Sequence, residues 1–444
     1  MGRKMVTYCG GLPLAVTVLG GLLVNKNMVE EWERVDDNIQ SQIVHKNDKS
    51  QNSVCGVLSM SYEDLPMQLK HCFLYLAHFP EDYKIQVERL YYLWEAEGII
   101  TSSGDGETTR KIGEEYIDEL VRRNMVIAVK EDLSCRWEYC QMHDMMREVC
   151  LYKAKEENFL QFINVPTTST STINAHTPTR SRRLAVYGGN ALDIMGYQKA
   201  RSVLGFGLDS QLWKQSGQGL RNLQLLRVLD LNLDDKSDDR GGRIPSSIGK
   251  LIHLRYLSLD MGHATLQEDL TLIDENNESD VDFVWNFIHL RYLELHIHMT
   301  KLPDHSRFPP HLAHISLSDC EMEEDPLQIL EKSVELYYSA FVGRKMVCSK
   351  GGFPQLCKLE ICCLDNLEEW IVEERSMPCL RTFSILYCEK LKELPEGLKY
   401  ITSLKELKIT DKNKEWKTKL VPGGESYHKV QHIPSVQLNY EGHE

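Results

Sequence analysis

No stretch of this 444-residue sequence is apolar over the roughly 20 residues that a membrane-spanning helix needs. Basic charge is scarce: 51 lysines and arginines face 65 carboxylates, a formal net charge of −14. That balance disfavours nonspecific attraction to nucleic acid or to an anionic bilayer. No CxxC pair occurs, and the 13 cysteines are scattered, with Cys362 and Cys363 adjacent. Such usage argues against a disulfide framework and a zinc site, and reads as reduced thiols. A single N-x-S sequon is present, Asn277-Glu278-Ser279. Catalytic signatures are missing as well. The nearest approach to a phosphate-binding G-x-x-x-x-G-K-[ST] loop is IPSSIGKL, with Ile244 where glycine is required and Leu251 after the lysine. There is no GxSxG elbow, HExxH or EF-hand loop. His296 and His298 form a pair without a third ligand, which reads as surface rather than metal. The expectation is a protein that is not an enzyme.

The longest apolar run is CGGLPLAVTVLGGLL, residues 9–23, behind Arg3 and Lys4. Its outline suits a signal peptide, but Pro13 interrupts it and no small-x-small cleavage site follows. As a helix it is coherent. Pro13 sits at the first position, where a missing N–H costs little. Ala15, Val18, Leu19 and Leu22 then form one stripe, with Val16 and Leu23 beside it. Gly20 and Gly21 weaken the propensity, so the helix needs tertiary packing.

Residues 1 to about 163 read as mostly helical. VERLYYLWEAEG ends at Gly98, a fitting C′ glycine. KIGEEYIDELVRRN repeats Ile112, Tyr116 and Leu120 on one face and stops at Asn124. Short strands near MVIAV and RWEYCQM follow, then a helix that starts after MHD, with Asp144 as its expected N-cap. Helices followed by a two-stranded wing predict a winged-helix domain. From residue 81 to 150 there are 9 lysines and arginines against 16 carboxylates, a net of −7. A DNA-reading wing needs a basic footprint, so a protein-facing role is expected.

Residues 164–182, NVPTTSTSTINAHTPTRSR, are rich in threonine, serine and proline and read as a linker. Arg180, Arg182 and Arg183 at its end face a winged-helix segment of opposite charge. Beyond it the sequence repeats: LQLLRVLDL, LIHLRYLSL, HLRYLELHI, HLAHISL, QLCKLEI, CLRTFSI and SLKELKI. These are L-x-x-L-x-L units, the leucine-rich-repeat signature. RRLAVYG and RSVLGFG read as two weaker leading repeats. In such units the leucines face a shared core and the alternate strand residues face out on a concave sheet. The outward set is expected to include Asp230, Asn232, Tyr256, Ser258, Asp260, Tyr292, Glu294, His296, Glu360, Lys408 and Thr410. ENNESDVDFVW, from residue 275, is an acidic insertion, either a loop or a contact patch. The expected architecture is multidomain: an α-helical subdomain (1–53), a winged helix (54–163), a linker (164–182) and an α/β leucine-rich-repeat solenoid (183–444).

GLPLA at 11–15, LSMSYEDLPMQLKHCFLYLAHFPEDYKI at 58–85 and MHD at 142–144, followed by leucine-rich repeats, resemble a plant nucleotide-binding leucine-rich-repeat immune receptor. The coiled-coil class fits, and within it the group of downy-mildew receptors. By this resemblance residues 9–23 are the GLPLA helix of the nucleotide-binding module and not a signal peptide. The resemblance implies ADP/ATP as cofactor, with Pro13 packing on adenine and His143 contacting the ADP β-phosphate. It also implies a pathogen effector or guarded host protein as partner, a nucleotide-binding domain in cis or trans, and a place in the cytoplasm or peripherally at the plasma membrane. The coiled coil, P-loop, Walker B strand and sensor motifs of the family are missing, so the resemblance is to a truncated receptor, with little or no tightly bound nucleotide expected. The alternatives are a winged-helix DNA-binding regulator, disfavoured by charge, and a secreted repeat protein, disfavoured by sequon and cysteine usage.

Overall fold

The structure is a computed structural model. It describes residues 2–24, 26–44, 51–101, 106–130, 136–164, 181–188, 197–209, 222–234, 246–260, 272–274, 277–281, 287–296, 302, 309–322, 325–411 and 415–440. Two compact units divide the chain, Met1–Ile163 with His176–Ala185, and Asn164–Ala175 with Val186–Glu444. Most of the expected linker, residues 165–180, lies outside the described residues.

The first unit is helical. It holds α1 (Gly2–Thr7), α2 (Pro13–Leu23), α3 (Val29–Val44), α4 (Gln51–Glu63), α5 (Met67–Tyr75), α6 (Val87–Glu97), α7 (Gly106–Arg122) and α8 (Asp144–Glu156). The boundary expected at residue 53 therefore falls inside α4. Pro13 opens α2 as expected, and Ala15, Val18, Leu19 and Leu22 are buried, while Val16 is exposed. α3 is started by Glu31, whose carboxylate accepts the backbone N–H groups of Asn27 and Met28 at 3.1 and 3.2 Å. That reach-back satisfies donors a helix start leaves orphaned. α6 is buried almost throughout, with Trp94 and Leu90 at its centre, and it ends in left-handed Gly98 at φ 86°.

Three short strands complete the winged helix: β1 (Ile85–Gln86), β2 (Ile127–Lys130) and β3 (Trp137–Gln141), in the order β1-β3-β2 and all antiparallel. The two-residue β1 carries no periodic signal, so its pairing with Tyr139 and Cys140 was not readable from the sequence.

The two glycines of α2 behave differently. A Cβ on Gly21 would lie 2.8 Å from the backbone of Arg123, whereas one on Gly20 meets nothing within 4 Å. Asn124 fixes the same junction, donating from its side chain to the Thr17 carbonyl at 3.1 Å. Gly21 is thus the point where α2 passes the end of α7. Gly20→Ala is expected to stabilise the unit by about 0.5–1 kcal/mol through helix propensity. Gly21→Ala should instead destabilise it by about 1–3 kcal/mol through overpacking. Chemical denaturation of the two variants checks the opposite signs.

The division between units falls within the strands β4 (Gln161–Asn164) and β5 (Arg183–Tyr187). The second unit continues with β6 (Ser202–Asp209), β7 (Val228–Asp234), β8 (Tyr256–Asp260), β9 (Leu272–Asp274), β10 (Asn277–Val281), β11 (Tyr292–His296), β12 (His314–Met322), β13 (Glu335–Phe341), β14 (Lys345–Cys348), β15 (Lys358–Cys362), β16 (Glu369–Val372), β17 (Thr382–Leu386), β18 (Glu406–Asp411) and β19 (Ser435–Tyr440). β6, β7, β8, β11, β12, β13, β15, β17, β18 and β19 lie side by side in that order, each parallel to the next. β14 and β16 form a separate parallel pair. Part of the acidic insertion is β10, paired antiparallel with β9.

The repeat leucines stack in register. Leu229, Leu257, Leu293, Ile315, Leu336, Leu359, Phe383 and Leu407 form one column, all buried. Each such side chain contributes about 1.5–3 kcal/mol relative to exposure. A parallel stack of this kind stabilises every strand through its neighbours only.

Candidate recognition surface and the MHD helix

His143 occupies the cap position of α8, with an extended backbone at φ −68° and ψ 143°. Its carbonyl accepts the N–H groups of Met146 and Arg147 at 2.8 and 2.9 Å. Asp144, expected as the cap, is instead the first helical residue. The extended turn falls one residue earlier, and no side chain caps the helix. The Asp144 carboxylate still suits the positive helix end. Both residues are exposed, as is Pro13. No hydrogen bond or ion pair among the described residues joins Pro13 to His143. The nearby guanidinium of Arg147 is turned inward and donates to the Phe79 carbonyl at 3.1 Å. A nucleotide phosphate needs a nest of N–H groups or a basic clamp. These residues offer a contact but no cradle, so they do not fit a tightly held nucleotide by themselves.

Just past the linker, Arg183 forms an ion pair with a buried carboxylate. Arg183 donates to Glu97 at 2.6 Å, and the Glu97 side chain is 1% exposed. The Arg183 guanidinium also lies over the Phe159 ring, 4.1 Å from its centroid. The Ser181 hydroxyl donates to the Phe159 carbonyl at 3.1 Å.

On the repeat sheet, alternation places the expected outward residues on the face opposite the leucines, but not all of them reach solvent. Asp230, Tyr256, Ser258, Tyr292 and Thr410 are buried. Glu294, His296, Asp260, Glu360 and Lys408 are half-buried, and Asn232 is exposed. The cause is the ladder itself: parallel strands lie about 4.8 Å apart, so side chains of equal register cover one another. Tyr256 aligns with Tyr292 and Tyr292 with His314, with ring centroids 6.3 and 6.5 Å apart.

A polar chain crosses this face. The Tyr256 hydroxyl donates to Glu294 at 2.8 Å, and Asn232 donates to Asp260 at 2.7 Å. His314 lies between two carboxylates, 3.3 Å from Glu335 and 4.0 Å from Glu294. Asp230, Asp260, Glu294, Glu335 and Glu360 make this part of the face acidic, with serines Ser258, Ser316 and Ser318 between them. His314 and Glu335 were missed in the sequence. Glu335 sits in a repeat whose first leucine is replaced by Ser333 and whose last is replaced by Tyr338, so the motif does not register. His298 lies outside the described residues, and no group of three or more His, Cys, Asp or Glu side chains among the described ones is placed to hold a metal ion.

A second charged feature lies at the strand entrances. Arg201, Arg227, Arg255 and Arg291 occupy the same position in successive repeats. The backbone N–H groups of Arg227, Arg255 and Arg291 each donate to the preceding arginine's carbonyl, at 2.7, 2.7 and 2.9 Å. Like charges in neighbouring ladder positions repel.

A winged helix and a leucine-rich-repeat solenoid define the class of this chain. Residues 79–150 match the disease resistance protein winged helix domain. The chain is homologous over 99% of its length to Arabidopsis thaliana disease-resistance proteins of the RPP8 type. It is 49% identical to disease resistance RPP8-like protein 3 and 47% identical to disease resistance protein RPP8. It spans 61% of the length of each. The RPP8 alignment runs over 560 positions, more than the 444 residues present here, so over a hundred of those positions have no counterpart in this chain. Among solved structures, an internalin of Listeria monocytogenes is similar at a TM-score of 0.35 and 15% identity, covering 65% of this chain and 84% of that one. No helix among the described residues is long and apolar enough to cross a membrane.

Proposed function

We propose that this chain is the winged-helix and leucine-rich-repeat portion of a plant disease-resistance receptor. In this reading it senses a pathogen effector or a guarded host protein on the repeat face. The observation that carries it is homology over 99% of the chain to disease-resistance proteins. The acidic, aromatic face around Tyr256, Tyr292, Glu294 and His296 supports a partner that presents basic or hydrogen-bond-donating groups. Asp230, Asn232 and Asp260 extend the same surface. The net charge of −7 over residues 81–150 argues against the DNA-regulator alternative.

In this proposal ADP or ATP belongs to a switch module that this chain only completes. When nucleotide is bound there, Pro13 and His143 contact it, and the nucleotide's exchange biases the receptor between inactive and active states. The chain has no hydrolytic role of its own. It resides in the cytoplasm or peripherally at the plasma membrane. The apolar stripe of α2 is already buried within the first unit, so the exposed Val16, with Val24 just beyond the helix, is the apolar surface it offers a nucleotide-binding domain.

The test is calorimetry with ADP. The chain alone should bind no tighter than about millimolar, because two contacts without a phosphate cradle leave most of the charge unpaired. Co-expression with the nucleotide-binding domain of an RPP8-like relative should give a co-purifying complex that binds ADP at micromolar strength or better. Tight ADP binding by the chain alone, or no complex in trans, overturns the reading.

Arg227 and Arg255, adjacent in the arginine column, support a second contact, to a carboxylate-rich segment. Reversing Arg227 and Arg255 together to glutamate should weaken binding of a polyglutamate peptide at low salt by about tenfold, given roughly 0.2–1 kcal/mol per exposed pair. Fluorescence anisotropy at two salt concentrations reads this.

A further inference from the structure

Adjacent residues on a strand point to opposite faces, so neighbouring cysteines do not ordinarily meet. Cys362 and Cys363 do. Cys362 ends β15 on the concave side, beside Glu360 in the alternation and aligned with Leu386 of β17. Cys363 then adopts the left-handed region at φ 54°, and its N–H donates to the Leu386 carbonyl at 2.9 Å. The same turn recurs one repeat later, where Tyr387 has φ 51° and donates to the Thr410 carbonyl. This turn brings the Cys363 thiol back over the strand, 3.1 Å from the Cys362 sulfur. One thiol of the pair is exposed and the other buried. Tyr337 on β13 hydrogen-bonds the Cys362 sulfur from the neighbouring strand.

We propose that Cys362 and Cys363 are a vicinal dithiol that a hydroperoxide converts to a disulfide, a modification site on the concave face of the repeats. The exposed Cys363 meets the oxidant first. Its sulfur attacks one peroxide oxygen, the O–O bond breaks, an S–O bond forms, and the thiol proton leaves in the first water. The Cys362 sulfur then attacks the Cys363 sulfur. An S–S bond replaces the S–O bond, and hydroxide departs with the Cys362 proton as the second water. The two sulfurs together lose two electrons and hydrogen peroxide gains them. Burial, helped by the bond to Cys363, pushes the Cys362 thiol up to about 12. A thiol so held is a poor nucleophile toward reagents in solution, but the short separation gives the attack on Cys363 a large effective concentration. Closing the ring removes the Cys362 proton and so alters the group that Tyr337 meets. The same geometry suits a trivalent arsenical, which bridges two thiols. The chemistry holds whichever partner the repeats recognise.

The test uses the full chain, treated natively with hydrogen peroxide, then denatured, alkylated and digested with trypsin. Cleavage after Lys358 and Arg375 isolates a peptide, residues 359–375, that contains these two cysteines and no others. The expected product is this peptide lighter by two hydrogen atoms and unalkylated, regaining two alkyl groups when reduction precedes alkylation. Phenylarsine oxide should protect both thiols in the untreated protein. Cys363→Ser should lose both effects. Cys363→Gly, which accepts the positive φ without strain, should do the same in a fold checked by circular dichroism. The proposal is overturned if Cys363 is recovered as a sulfinic acid, is bridged to Cys379 or to a second chain, or stays reduced while the exposed Cys379 is oxidised.

Discussion

Arg183→Ala should lower the stability of the first unit by about 3–5 kcal/mol, because it takes the cationic partner from a buried carboxylate. Glu97 is 1% exposed, and its partner at 2.6 Å is this guanidinium. The substitution also removes the cation from the Phe159 ring, a further loss of about 1 kcal/mol. The exposed neighbour Arg182 is the control, since a surface change away from such features stays within about 0.5 kcal/mol. The double variant Glu97→Leu with Arg183→Met should recover most of the loss, because the carboxylate is removed together with its cationic partner. Urea titrations of the four proteins measure this. Equal effects of Arg182→Ala and Arg183→Ala would refute the assignment.

A second large effect concerns acid. His78 is fully buried, and its Nδ1 lies 2.7 Å from the Tyr75 carbonyl. Burial, with the Arg183 charge adding to it, lowers its pKa from 6.5 to about 3. The backbone bond to Tyr75 opposes this only in part. Between those values the unfolded chain binds a proton that the folded protein refuses, so the unfolded state gains as pH falls. The stabilisation is complete above pH 6.5 and is lost progressively toward pH 3, by roughly 1.4 kcal/mol per unit from this group alone. His78→Gln, which keeps a donor for the Tyr75 carbonyl, should flatten the decline at some cost in stability at neutral pH. Denaturation midpoints from pH 7 to pH 4 would show it, and an unchanged slope in the variant would discount His78 as the cause.

The sequence disclosed the winged helix and most of the repeats because their signals are periodic. The L-x-x-L-x-L units marked β7, β8, β11, β12, β15, β17 and β18, and the two weaker leading units fall on β5 and β6. β13 and β19 escaped because Ser333 and Tyr338, and then Ile433 and Val436, stand where leucine is expected. Tyr338 and Ile433 are buried in the core without matching the letters. The concave residues were legible as a face but not as exposed or covered. Alternation assigns a side, whereas coverage of Tyr256 and Tyr292 depends on which residues lie across the ladder, and that follows from the uneven repeat lengths. The Arg183–Glu97 pair was legible only as a sign of charge. Its partner is 86 residues away, and no local pattern names it.

The shared parallel register of the repeat leucines has a consequence for how such a surface diversifies. Each concave position has an address: a row along the strand, at steps of about 6.6 Å for every second residue, and a column across the array, at steps of about 4.8 Å. The backbone at an address is held by the leucines behind it and not by the residue displayed there. A lineage can therefore rewrite one address, such as Asn232 or His296, without moving the others, much as a printed letter changes without resetting the page. Whole columns can be gained or dropped on the same terms, because each repeat is joined only to its two neighbours.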